Sequence, residues 1–204
     1  MKPNQFTFGS VLSWYAKNAP EEGKQLHALV VKSGFEFDLF VQSAIVDMYA
    51  KCMSMEDARK VFDKMPERDV VSWNAVIAGY AQNGHGEEAL YLLRKMQIAD
   101  VKLDEFTFSV VFKACDSLAA MEQSNQIHAL VIKSGYESNV FVSTTLIEMF
   151  VNHGSMECAI VVFDVLPNRD VILWSVIIAG YVQQGDGIEA LKCLLQNATD
   201  GPEA

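Results

Sequence analysis

No stretch of the 204-residue chain holds the 18 or more consecutive apolar residues that a bilayer-spanning helix needs. Residues 1–7 lack the basic-then-apolar order of a secretory signal and the Arg- and Ser-rich character of a transit peptide, so any targeting address is expected outside this segment. The four cysteines, Cys52, Cys115, Cys158 and Cys193, never stand two residues apart, which removes the CxxC pair of a zinc ribbon or a dithiol redox centre. They are expected to be small buried apolar residues in a reducing compartment, and no metal or other cofactor is implied. Basic residues are scarce in one half only. Residues 1–102 hold 12 Lys and Arg against 13 Asp and Glu, a balance of −1, whereas residues 103–204 hold 4 against 13, a balance of −9. The second half is thus a poor electrostatic match for phosphate.

What the chain does have is a core and a repeat. Half of its residues are hydrophobic, enough for burial along its whole length. Residues 26–34 read LHALVVKSG and residues 127–135 read IHALVIKSG, so that His27 returns as His128 after 101 positions. Residues 69–80, DVVSWNAVIAGY, return as DVILWSVIIAGY at the same step, and Phe6-Thr7-Phe8 returns as Phe106-Thr107-Phe108 after 100. Two copies of one long unit account for these matches.

Each unit subdivides into amphipathic pairs. Val70, Trp73, Val76, Ile77 and Tyr80 recur at helical spacing. The run 83–86, Asn-Gly-His-Gly, breaks that helix, and Ala89, Leu90, Leu93 and Met96 resume the pattern behind Glu87 and Glu88, whose charges suit a helix start. The same paired pattern fits residues 6–33, 39–65, 105–134, 140–166 and 171–195, and no alternating strand pattern competes. A helix pair cannot bury its own stripe, so neighbouring pairs must stack. The expected fold is all-α: a right-handed α-solenoid of antiparallel helix pairs, twelve helices in a single array spanning residues 1–204.

Residues 46–68 (VDMYAKCMSMEDARKVFDKMPER), 72–90 (SWNAVIAGYAQNGHGEEAL) and 106–135 (FTFSVVFKACDSLAAMEQSNQIHALVIKSG) resemble the S-, P- and L-type motifs of the plant PLS-class pentatricopeptide repeat (PPR) family. The likeness runs from about Gln5 to Leu195 and divides the chain into motifs 5–38, 39–69, 70–104, 105–139 and 140–170, with 171–200 incomplete. It departs from the family at Met53, where a glycine is usual, at Trp14-Tyr15, where small residues are usual, and at residues 152–154, Asn-His-Gly for Lys-Cys-Gly.

The resemblance implies a single-stranded RNA-binding module in which each motif meets one base. The fifth and last residues of a motif would read the base edge. Those pairs are Gly9 with Asp38, Ser43 with Asp69, Asn74 with Asp104, Ser109 with Asn139, and Thr144 with Asp170; Ser175 opens an unfinished sixth. The second residues, Phe6, Phe40, Val71, Phe106, Phe141 and Ile172, would sandwich the bases. Asn74 with Asp104 resembles the family's uridine-reading pair, and Ser43–Asp69 and Thr144–Asp170 its guanosine-preferring pairs, giving G-U-x-G across motifs two to five. The resemblance further implies a mitochondrial or chloroplast protein that selects organellar RNA editing or processing sites, with editing-factor proteins or a deaminase in another domain or chain as partners.

Plainer readings stand beside these. Asn74 could be an ordinary solvated residue, and Phe40 and Phe141 helix-start core residues. His27 and His128 read as packing, Trp73 and Trp174 as anchors, Met55 and Met156 as gap-fillers, and Glu56-Asp57 with Arg59-Lys60 as a solvated face. No catalysis is expected: a deaminase needs an HxE segment and CxxC, whereas His27 and His128 are each followed by Ala-Leu. The alternative function is a protein-interaction scaffold with little RNA binding, which the −9 half favours, and uncapped ends invite self-association.

Overall fold

The computed structural model describes residues 3–18, 22–118 and 121–200; residues 19–21 and 119–120, inside the expected first and fourth motifs, and the closing residues 201–204 lie outside the described residues. Twelve α-helices fill the described chain in six pairs, with no strand among them: α1 (Gln5–Asn18), α2 (Gly23–Lys32), α3 (Leu39–Lys51), α4 (Met55–Lys64), α5 (Val70–Gln82), α6 (Gly86–Ile98), α7 (Glu105–Leu118), α8 (Met121–Lys133), α9 (Val140–Asn152), α10 (Met156–Val165), α11 (Val171–Gln183) and α12 (Gly187–Asp200). Each odd-numbered helix begins on the first residue of an expected motif. The fold class is all-α, as the periodicity implied.

Local chemistry sets those boundaries. Asp38, Asp69, Asn139 and Asp170 are N-caps, each side chain accepting a hydrogen bond from the backbone N–H three residues on, at 2.9–3.0 Å. Asp104 does the same for Thr107 at 2.8 Å. Such a cap is worth about 1 kcal/mol. At the other ends the chain turns through left-handed residues: Gly34, Gly84, Gly135, Gly154 and Gly185 all have φ between 74° and 81°. Met53, at the place equivalent to Gly154, is forced to φ 60°. Arg68 closes α4 by donating to the carbonyls of Phe62 (2.9 Å) and Asp63 (2.8 Å), and lies over the Phe62 ring. One step of 101 later, Arg169 treats Phe163 and Asp164 of α10 the same way.

The described chain divides into two compact units, Met1–Ala114 and Cys115–Ala204. In the first, α1, α3 and α5 pack side by side, with α4 and α6 against α3 and α5. Leu12, Ile45 and Val76 run through this row fully buried. Gly79 lets α5 approach α3 closely, since a Cβ there would stand 2.5 Å from that of Ala50. In the second unit α9 and α11 pack together, with α10 and α12 as their pair-mates. Trp73 and Trp174 anchor the pairs, each edge-on at 4.8 Å to the phenylalanine of the preceding helix, Phe62 or Phe163. Met55 and Met156 are buried as expected. Of the cysteines only Cys115 is buried; Cys52, Cys158 and Cys193 are partly open because they fall near helix ends or on an outer helix, and none of the four is in a disulfide.

Candidate nucleic-acid interface

The second residue of every odd-numbered helix stands out from the surface. Phe6, Phe40, Val71, Phe106, Phe141 and Ile172 are 50–64% exposed. Six apolar side chains are thus left in water at one fixed phase of the repeat. Phe40 and Phe141 are therefore half-exposed at the helix start and not core residues.

In the first unit these residues border a groove of about 890 Å³. Its lining includes Gly9, Ser13, Phe40, Ser43, Asp47, Asp69, Val71, Asn74, Asp104 and Phe106. Readers from the first to the third expected motifs thus share one wall. Among the described residues no lysine or arginine lines it, and the charges it carries are the carboxylates of Asp47, Asp69 and Asp104. Asp47 is offset by Lys51 at 2.6 Å.

Asn74 and Asp104 are brought together across 30 residues. Asn74 Nδ2 donates to Asp104 Oδ1 at 3.0 Å. Thr107 Oγ1 lies 2.8 Å from both Asn74 Oδ1 and Asp104 Oδ1, so its single proton serves one of them at a time. Asp104 Oδ2 has no hydrogen-bond partner among the described residues and remains an open acceptor. Asn74 itself is only 4% exposed. It is neither a solvated surface residue nor a free reader: its amide is bound into a network, and the partly open member of that network is Asp104.

Thr107 was not singled out as functional by its own chemistry. It holds both members of the pair and is fully buried. The signal was present in the recurring Phe-Thr-Phe, since Thr7 plays the same part toward Asn4, accepting from its N–H and hydrogen-bonding its Oδ1 at 2.9 Å.

Among the described residues no hydrogen bond joins Ser43 to Asp69 or Thr144 to Asp170. Ser43, Thr144 and Ser175 turn their hydroxyls back to the carbonyls of Leu39, Val140 and Val171, at 2.6–2.9 Å. Ser43 is buried, Thr144 and Ser109 are partly open, and Ser175 is exposed. Asp38, Asp69 and Asp170 each commit Oδ1 to their cap. At Gly9 there is no polar group, and the Phe40 ring occupies the place a side chain would take, with Phe40 Cζ 2.9 Å from an ideal Cβ. Phe6 and Phe40 lie 5.8 Å apart, tilted by 56°. A base between two rings needs about 7 Å, twice the carbon contact distance, so Phe40 must swing away to admit one.

His27 and His128 are half-buried. His27 Nδ1 lies 3.1 Å from the Tyr49 hydroxyl, and burial lowers the pKa of both His27 and His128. Among the described residues no three His, Cys, Asp or Glu side chains are grouped to hold a metal.

Comparison with known proteins bears on the family and the fold. The PPR repeat family profile matches residues 68–116, and the PPR repeat profile matches residues 43–70 and 172–196. A pentatricopeptide repeat-containing protein of Arabidopsis thaliana is 42% identical over 204 residues, which is 100% of this chain and 28% of that protein. A chloroplastic relative is 42% identical over 170 residues (83% of this chain, 24% of its own length), and a mitochondrial one 38% over 185 (91% and 30%). The chain therefore spans between 24% and 30% of the length of these relatives. Among solved structures, the pentatricopeptide repeat protein PPR10 from maize superposes with a TM-score of 0.75 over 98% of this chain and 30% of its own, at 18% identity. PPR10 in complex with an 18-nt psaJ RNA element superposes with a TM-score of 0.65 over 79% of this chain and 24% of its own, at 25% identity. Stacked helix pairs of this length define an α-solenoid repeat protein. The chain belongs to the PPR repeat family.

Proposed function

We propose that this chain is a non-catalytic, single-stranded RNA-binding segment of a plant PPR protein of the PLS class, acting as one array over residues 1–204. The observation that carries the reading is the periodic one: at each odd-numbered helix an exposed apolar residue follows a carboxylate or amide cap, and at every one but α1, where Gly9 stands, a small polar residue lies three positions further on. An apolar face supplies stacking without sequence demands, at about 1–3 kcal/mol per base. The PPR10–RNA complex supports this use of the fold.

The open carboxylate supplies the selectivity. Asp104 Oδ2 is an acceptor held in place by its cap and by Asn74. Uracil and guanine present an N–H at the ring position facing such a group; cytosine and adenine present a lone pair there and are repelled. That acceptor disfavours cytidine and adenosine; the division into uridine opposite Asn74–Asp104 and guanosine opposite Ser43–Asp69 and Thr144–Asp170, giving G-U-x-G with Ser109 and Asn139 at the third place, is what the family resemblance implies. The biological role we assign is site recognition in organellar RNA editing or processing, with deaminase chemistry contributed by another domain or protein. The chloroplastic and mitochondrial relatives support a mitochondrial or chloroplast location.

The test is fluorescence anisotropy with short RNAs differing at the base opposite Asn74. Uridine is expected to bind best, with a loss of about 1–3 kcal/mol for cytidine. Asp104→Asn keeps the capping oxygen and turns the open acceptor into a donor, so cytidine should become preferred. Equal affinity for all four bases in both proteins would remove the readout. A rival reading, a protein-interaction scaffold, draws on the basic-poor groove and the −9 balance of residues 103–204. It predicts no RNA binding at any salt, whereas an RNA binder weakens as salt rises.

A further inference from the structure

Asp38, Asp69, Asp104, Asn139 and Asp170 each cap a helix, and the residues three positions on are Val41, Ser72, Thr107, Val142 and Leu173. The valines and the leucine offer the cap only a backbone N–H. Ser72 has a hydroxyl but donates it to the Asp69 carbonyl at 2.9 Å. Thr107 differs, because its hydroxyl reaches back to the preceding helix pair.

Asp104 and Thr107 first close on each other. The carboxylate accepts from the Thr107 N–H at 2.8 Å, and Thr107 Oγ1 accepts from the Asp104 N–H at 3.2 Å. Asn4 and Thr7 form the same box at the start of α1, so that much is helix-start chemistry. The addition at Thr107 is Asn74. Its Oδ1 lies 2.8 Å from Thr107 Oγ1 and its Nδ2 donates to Asp104 Oδ1 at 3.0 Å, so the buried amide is gripped at both ends. Turned over, that amide would set its oxygen against the carboxylate, which fixes the way it lies. Asp104 Oδ1 in turn faces the Thr107 N–H, the Thr107 hydroxyl and the Asn74 amide, and holding one oxygen so firmly sets the angle at which Oδ2 is presented. Thr107 is fully buried and is not part of the groove lining, so it acts without touching a bound strand.

We propose that Thr107 is a positioning residue for base readout at the Asn74–Asp104 pair. Its hydroxyl locks the Asn74 amide and the open Asp104 carboxylate into one arrangement, and so sets how sharply that pair separates uridine from cytidine. The inference rests on the RNA reading above and adds to it a residue that stands outside the fifth and last places of a motif, 33 positions beyond the amide it holds.

Fluorescence anisotropy with RNAs carrying uridine or cytidine opposite Asn74 tests it in the wild type, Thr107→Val and Thr107→Ser, with folding checked by circular dichroism. Valine keeps the shape and the backbone N–H but removes the hydroxyl, and serine restores it. The uridine-to-cytidine affinity ratio should fall about tenfold in Thr107→Val, the weight of one hydrogen bond to a charged group, and recover in Thr107→Ser. The guanosine-to-adenosine ratio opposite Ser43–Asp69 should not move in either variant. A residue that served the fold alone would weaken binding to all the RNAs together and leave both ratios unchanged. Wild-type discrimination that survives Thr107→Val therefore removes this inference and leaves the RNA reading standing, whereas a wild type indifferent to uridine and cytidine removes both. The side-chain amide protons of Asn74 give a second measurement, by NMR, that needs neither variant nor RNA. They should exchange slowly with water, and exchange at the rate of a free amide overturns the lock.

Discussion

Met53 holds the turn between α3 and α4 in the left-handed region at φ 60°, where its repeat partner Gly154 sits at 74°. A side chain there costs about 1 kcal/mol or more, and at 79% exposure the Met53 side chain returns almost no burial. Met53→Gly should therefore raise stability by about 1 kcal/mol, read as a higher urea midpoint at unchanged slope. The half-buried His27 and His128 act in the opposite direction as pH falls. Burial holds His27 and His128 below the usual 6.5, so the unfolded chain binds these protons more readily. Their contribution is complete above pH 6.5 and is lost as pH falls through that value toward the folded pKa. The urea midpoint should be flat from about pH 8 to 7 and drop toward pH 5, and His27→Gln should make that drop shallower. Asp57, held low by Lys24, adds a loss only in more acid solution.

At the scale of helices, most of the architecture was legible in the sequence, because capping, turning and stripe formation are local. The motif frame starts each odd-numbered helix at its true first residue, and the 101 step reproduces the Arg–Phe–Trp clusters around Phe62 and Phe163. The candidate site was legible only in part. Which positions face the groove follows from helical phase, but the burial of Asn74 depends on Thr107, 33 residues away in the next pair, and no local pattern announces that distance. The filling of the first position by Phe40 is likewise a contact between pairs. Close approach between elements can be tested at Gly79. An added methyl would meet Ala50 Cβ at 2.5 Å and Met55 at 3.0 Å, and the first of these cannot yield. Gly79→Ala should cost about 1–3 kcal/mol, seen as a lower thermal midpoint with helix content retained at low temperature.

Over the whole molecule the net charge of −10 is divided unevenly, and the groove described in the first unit has no basic lining of its own. Phosphate neutralisation is therefore small, and any discrimination between bases has to come from stacking and the caps. In the proposed readout those caps would tie specificity to folding. Asp38, Asp69, Asp104, Asn139 and Asp170 each end one repeat and start the helix of the next. An engineer re-addressing this scaffold to another transcript consequently works with a short alphabet at those sites. Asp, Asn, Ser and Thr keep the helix start, and any other letter rewrites the message by loosening the page.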